Sequence, residues 1–443
     1  MKMHERFRRL VMAVVGLCVL AGCDSWFGAS EAPPLPGERI AVMLQESDLD
    51  PDPRLSDLSV LLPPPYVNES WPQSGGFPDH AMHHLMLPEQ VSELWEVSIG
   101  TGSDGDQRIL ATPVIADGKV FTVDRDFEVR AFDAETGIVV WEHEIGFPDE
   151  DDEAFGGGLA YADGRLFVST GYAQLITLDA QSGQELWRAS LTGPARAAPT
   201  TLNGVVVTVS IDNQTSAFDA VTGEEKWTHA GFAENAGLLG GASPAAFEKT
   251  VLIPYSSGEL YAIRLENGRV SWSDSLTSAR RSDALSSLAD IRGLPVIDRG
   301  VVFAVSHAGR MVAIDMNTGI RSWDRRIGGL NQPWVAGEFV YVLTIDNFLA
   351  ALTRRGGRVR WLTRLPAFED PEDKTGAISW VGPILAGDRL LLANNQGTVL
   401  AVSPYTGDPL GQIDVNDPVS VAPVVANGTL YIQTDGGRLF AYR

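Results

Sequence analysis

The stretch AFDAETGIVVW (131–141) sets a short apolar strand, a turn ending in glycine and a tryptophan four positions later. The same unit returns as TLDAQSGQELW (177–187), AFDAVTGEEKW (217–227), AIRLENGRVSW (262–272), AIDMNTGIRSW (313–323) and ALTRRGGRVRW (351–361). A seventh copy, AVSPYTGDPLG (401–411), has Gly411 where the others have Trp. ELWEVSIG (93–100) supplies Trp95 and the strand that follows such a turn, without the half that precedes it. Positions 95, 141, 187, 227, 272, 323, 361 and 411 recur every 38 to 51 residues, which fits the four-stranded blade of a β-propeller.

A second pattern gives the same count. Strands such as DFEVRAF (126–132), SGELYAI (257–263), AGRMVAI (308–314), QGTVLAV (396–402) and GGRLFAY (436–442) precede the turns, and weaker copies bring the number to eight. Earlier in several units Asp117-Gly118, Asp163-Gly164, Asn203-Gly204, Gly387-Asp388 and Asn427-Gly428 separate two apolar runs. Such pairs accept positive φ at low cost and suit tight hairpins. The chain stops at Arg443, after a strand that elsewhere leads into the glycine turn, and the missing strand lies near 94–99. The expected fold is therefore all-β: an eight-bladed propeller of four-stranded antiparallel blades over 80–443, its last blade closed by strands from both termini. Closure hides sheet edges that would otherwise invite association. Trp95, Trp141, Trp187, Trp227, Trp272, Trp323 and Trp361 are expected to fill the space between neighbouring blades, because a large flat ring at one place per unit buries much apolar surface.

The 45 Gly and 26 Pro among 443 residues demand many turns and argue against long helical bundles. Net charge is −23, so the chain repels phosphate backbones and nucleic acid is excluded as a partner. The only cysteines are Cys18 and Cys23, which excludes a disulfide scaffold or a cysteine zinc site in the rest of the chain.

Residues 1–9 are basic on balance, and 10–20 (LVMAVVGLCVL) form an apolar run too short to span a bilayer. Leu20-Ala21-Gly22-Cys23 follows and resembles the lipobox of bacterial lipoproteins. The resemblance implies a signal peptide over 1–22 and a lipidated Cys23; the bland alternative is an ordinary cleaved signal with a chance cysteine. Asp24 is a residue that favours inner-membrane retention in such proteins. The Pro-rich, acidic stretch 23–79 (EAPPLPGE, DPDPR, LLPPPY) reads as an extended tether.

The repeat A-x-D-x-x-T-G-x-x-x-W resembles that of pyrroloquinoline-quinone dehydrogenases, and also of propellers that bind no quinone. With a lipobox, a tether and eight units, the chain resembles the BamB family, lipoprotein components of the machine that assembles β-barrel outer-membrane proteins. That resemblance implies a non-catalytic scaffold without cofactor or metal, anchored at the outer membrane and facing the periplasm. Its implied partner is the periplasmic repeat domains of the barrel-inserting, BamA-like subunit, with nascent outer-membrane proteins as a second. The family's docking surface maps onto Gly237-Leu238-Leu239-Gly240-Gly241-Ala242-Ser243-Pro244 and onto Leu288-Ala289-Asp290-Ile291-Arg292-Gly293-Leu294-Pro295. Leu239 replaces a basic residue of the family pattern and Arg292 replaces its second Asp. The implied partner-binding residues are thus Leu238, Leu239, Asp290 and Arg292, with altered charge.

Two other readings stay open. A quinoprotein dehydrogenase would need a cation, a carboxylate base and commonly an adjacent cysteine pair, and no such pair exists. A propeller scaffold for some other envelope protein shares all the loop logic. His80, His83 and His84 (DHAMHHL) have no further ligand nearby in sequence, so local packing is expected in place of a metal site. Gly156-Gly157-Gly158 lacks the Lys-Ser/Thr of a phosphate loop, and the acidic runs 149–153 and 369–373 read as solvated connections.

Overall fold

The Asp-Gly and Asn-Gly pairs at 117–118, 163–164, 203–204 and 427–428 become two-residue hairpin turns, with Asp117 and Gly118 at φ of 49° and 69° and Asn427 and Gly428 at 51° and 70°. The other four blades place Glu248, Arg299, Gly337 and Gly387 at positive φ in the same place. These turns recur once per repeat and generate antiparallel meanders. In the computed structural model, which describes residues 49–105, 107–147, 154, 156–234, 238–277 and 289–443, they give eight four-stranded antiparallel sheets. Blades 1 to 7 occupy residues 114–144, 157–190, 200–230, 245–275, 296–325, 334–364 and 380–414. Blade 8 takes three strands from 424–442, and its outermost strand is Glu93–Ser98, paired antiparallel with Arg438–Tyr442. A small exposed hairpin, Phe368–Asp370 with Thr375–Ala377, stands between blades 6 and 7 and carries the second acidic run.

Burial follows position in the blade. The short first strands line the hub: Val114–Ala116 and Val424–Ala426 are wholly buried, whereas Ala245–Phe247 leaves Phe247 exposed at its C-terminal end. Second and third strands are buried on both faces, as in Val205–Val209. The fourth strands alternate, with Trp141 buried among exposed neighbours in Val139–Glu144, and form the rim.

The repeated residues meet across blades, not within them. The Trp141 indole N–H donates to the carbonyl of Ala180 in the next blade at 3.1 Å. Trp95 donates to Ala134, Trp227 to Leu265, Trp272 to Met316, Trp323 to Arg354 and Trp361 to Pro404 in the same way, and Trp187 reaches Ala220 at 3.4 Å. The glycine of the next blade's turn lies on the ring: a Cβ on Gly183 would sit 2.6 Å from Trp141. In four of the units an Asp at one fixed place, Asp133, Asp179, Asp219 or Asp315, builds that turn. Asp133 Oδ1 accepts from Thr136 N at 2.9 Å and from Thr136 Oγ1 at 2.7 Å, an Asx turn that Asp179 and Asp315 repeat. Gly411 is now explained. Its successor, blade 8, takes its fourth strand from the N-terminal side, Glu93–Ser98, so no glycine turn joins its third and fourth strands and a tryptophan at 411 would have no such turn to lie under.

Residues 66–79, which composition assigns to the tether, pack inside the ring instead, so the extended segment ends before 79. From Asn68 to Leu85 the chain makes one circuit of the hub. Asn68 Nδ2 donates to Val425 O of blade 8 at 2.6 Å, and Trp71 exchanges backbone bonds with Ile115 of blade 1. Pro72 O accepts from Tyr161 N of blade 2, and the Gln73 amide brackets Thr201 of blade 3 at 2.9 and 3.2 Å. Pro78 O and Asp79 O accept from Ala246 N and Ile297 N of blades 4 and 5. The His83 carbonyl accepts from the Trp334 indole of blade 6, and Leu85 pairs with blade 7 through Leu385 and Gly387. The physical reason is unpaired backbone: the inner strands present N–H and C=O groups to the hub, and this segment pairs with some of them in seven blades and with the Trp334 indole in blade 6. Cys23 and the signal segment lie outside the described residues, as do Gly237 and Leu288 of the two mapped loops.

Candidate functional site

Strand direction fixes two faces. The first strands run from one face toward the hairpin turns on the other, so the connections between blades all gather on the first face. There they surround a funnel of about 600 Å³ on the propeller axis, floored by Trp71, Ser74 and Gly75 of the hub segment. The loops singled out by resemblance, 238–243 and 290–294, both line it.

A buried ion pair holds those loops in place. Arg196, in the connection between blades 2 and 3, reaches under Gly241 to the carboxylate of Asp290, with the two side chains 4% and 1% exposed. The other carboxylate oxygen accepts the backbone N–H of Leu238 at 3.1 Å. Asp290 is therefore committed within the protein and fixes three neighbouring connections together. Removing either charge would strand the other in a buried site. Nothing in the resemblance marked Arg196; its isolation among small residues in GPARAAPT was the signal available.

The remaining residues face outward. Leu239 is 41% exposed and Leu238 half-buried. Arg292 lines the funnel and, among the described residues, forms no hydrogen bond or ion pair. Burial pushes its guanidinium below the ordinary arginine value, attraction to Asp290 works against that, and repulsion from Arg196 adds to it. Two further apolar side chains stand on the same face, Ile211 at 57% and Phe232 at 70% exposed. The sequence reading missed both, because each sits in a connection where no strand period ranks it. Asn213 Nδ2 donates to Phe232 O at 2.7 Å and holds that connection against blade 3.

The histidine trio does not converge. His80 and His84 are buried, with Nδ1 at 2.7 Å from Pro295 O and 2.8 Å from Pro63 O, while His84 Nε2 accepts from Asp388 N. These are local packing roles for the hub segment. Among the described residues no group of three His, Cys, Asp or Glu side chains is placed to hold a metal. Gly157 and Gly158 open a strand of blade 2, where Ser169 and Ala198 leave no space for a side chain.

Comparison with known proteins agrees with the propeller fold. The family model described as outer membrane protein assembly factor BamB matches residues 88–150, 125–363 and 368–443. The outer membrane protein assembly factor BamB of Alkalilimnicola ehrlichii is 28% identical over 207 residues, covering 46% of this chain and 52% of that protein, so the chain spans about half of that relative's length. The Yersinia pestis protein of the same name is 26% identical over 357 residues, 79% of this chain and 88% of that one. Among solved structures, BamB from Moraxella catarrhalis superposes with a TM-score of 0.68 at 19% identity, covering 80% of this chain and 100% of that one. A europium-containing methanol dehydrogenase reaches 0.66 at 13% identity, covering 84% and 98%. At such identities the structural likeness concerns the fold alone.

Proposed function

Because the chain belongs to the BamB family of outer membrane protein assembly factors, we propose that it is a non-catalytic lipoprotein scaffold of that assembly machine. In this reading Cys23 carries the lipid and the propeller faces the periplasm at the outer membrane, with Asp24 as the residue that would argue for inner-membrane retention. The funnel face docks on the periplasmic repeat domains of the barrel-inserting, BamA-like subunit, and nascent outer-membrane proteins pass nearby. The observation that carries the reading is the set of exposed apolar side chains, Leu239, Phe232 and Ile211, on one face of a rigid ring. Isolated large apolar groups on stiff loops are the anchors that protein interfaces use. Leu238 and Leu239 act as contact residues and Arg292 joins them, while Asp290 positions the loop from beneath.

A dehydrogenase reading has less support. Quinone chemistry of that kind needs a carboxylate base and oxygen ligands at the hub, and among the described residues the funnel lining contains no Asp or Glu.

Capture of the barrel-inserting subunit from membranes in mild detergent tests the proposal. Leu239→Asp should weaken capture by about 1–2 kcal/mol with the thermal midpoint nearly unchanged, since the side chain is exposed. Leu238→Asp should weaken it as well. Undiminished capture by both variants removes the docking assignment.

A further inference from the structure

We infer that the hub funnel is a receptor for a carboxylate-bearing loop of the docking partner, with Arg292 as the residue that receives the acid. This rests on the docking reading above and gives it a chemistry. The funnel is lined by Arg108, Arg196 and Arg292 and, among the described residues, by no acidic side chain, in a chain whose net charge is −23. Such a reversal of sign at one concave spot is electrostatic complementarity to an acidic group. Arg196 is neutralised by Asp290, whereas Arg292, drawn toward Asp290 only through space, hydrogen-bonds to none of the described residues and keeps its donor fork toward the funnel. A guanidinium fork matches a carboxylate with two parallel hydrogen bonds, and these strengthen as water leaves.

The rest of the lining decides what carries the acid. Leu110, Leu239, Leu294, Leu330 and Trp380 surround the arginines. They suit an aliphatic or aromatic neighbour of the Asp or Glu, and about 600 Å³ holds a few side chains but no folded domain. The floor formed by Trp71 and Gly75 closes the far side, so an inserted loop must leave by the way it enters.

The test uses the full mature chain and the purified periplasmic domains of the barrel-inserting subunit from the same organism. Arg292→Gln should weaken binding by about thirty-fold and flatten its salt dependence. Its thermal midpoint should hold or rise, because a largely buried cation that hydrogen-bonds to none of the described residues is removed. Arg292→Lys should fall between, keeping charge without the fork. Unchanged binding by Arg292→Gln alongside a loss with Leu239→Asp overturns this inference and leaves the docking face standing. Unchanged binding by both overturns inference and docking together. A midpoint that falls with Arg292→Gln makes the arginine a structural residue and also overturns the inference.

Discussion

Gly183 and Trp141 belong to different repeats, yet each explains the other. The glycine takes φ of +73°, and its missing Cβ is the space in which the ring of the preceding blade lies. Gly118 has a similar φ of +69° with nothing within 4 Å of where a Cβ would be. Alanine at 118 should therefore cost about 1 kcal/mol for the left-handed backbone alone, whereas Gly183→Ala should cost about 3 kcal/mol because the indole must also move. Urea unfolding of the two variants measures the difference. The sequence displayed both residues of the pair at a fixed spacing, and their spacing suggested one repeat. It could not say that the contact runs from each ring to the following turn. A second residue-scale effect concerns His80, buried with Nε2 unpartnered; burial lowers its pKa from 6.5 to about 4. The unfolded chain takes up that proton at higher pH than the folded one, so stability contributed by neutral His80 is present above 6.5 and is lost as pH falls toward 4. The thermal midpoint should decline over that window, and His80→Gln should flatten part of the decline.

At the scale of elements, the hub segment is where composition misled. Pro-rich, acidic sequence with no period of 2 or 3.6 reads as tether, and 66–79 has that character. The hub segment from Asn68 to Leu85 meets backbone groups of seven blades and the Trp334 indole of blade 6, so no local rhythm records the packing. What the sequence did contain was Asn68, Trp71, Gln73, His80 and His84, large or amide-bearing side chains set among prolines and glycines. Gln73 brackets both backbone groups of Thr201. Gln73→Ala leaves these buried groups unpaired and should cost about 1–3 kcal/mol, read as a lower thermal midpoint. An accompanying loss of hydrogen-exchange protection confined to blades 2 and 3 would locate the effect. The loops of the funnel face were only half legible for a related reason. Leu238 and Leu239 stood out as leucines between glycines, but Asp290 looked like a surface acid until Arg196, 94 residues away, was found beneath it.

For the molecule as a whole, the blade count was fully legible, because a period near 45 residues is unaffected by the irregular loops. The seam between the ends is the part of the ring with the least redundancy. Blade 8 joins blade 7 without an inter-blade tryptophan, since Gly411 stands there, and its outer strand is held through the pairing of Glu93–Ser98 with Arg438–Tyr442. Arg443 adds an ion pair to Glu135 of blade 1 at 2.7 Å. Deleting 438–443 removes both links and bares two sheet edges. Thermal unfolding of that truncation should lose its single cooperative transition, while a control with Arg443→Ala alone should keep it.

The pairing of the two termini also governs time. Glu96 and Arg438 are 342 residues apart, and no shorter loop can stand in for their meeting. The strand Glu93–Ser98 must wait, unmatched, until Arg438–Tyr442 has been made, so its large sequence separation should make closure a slow step of folding. Until that pairing forms, the strands Glu93–Ser98 and Arg438–Tyr442 each keep a bare edge, and such edges invite association with another chain.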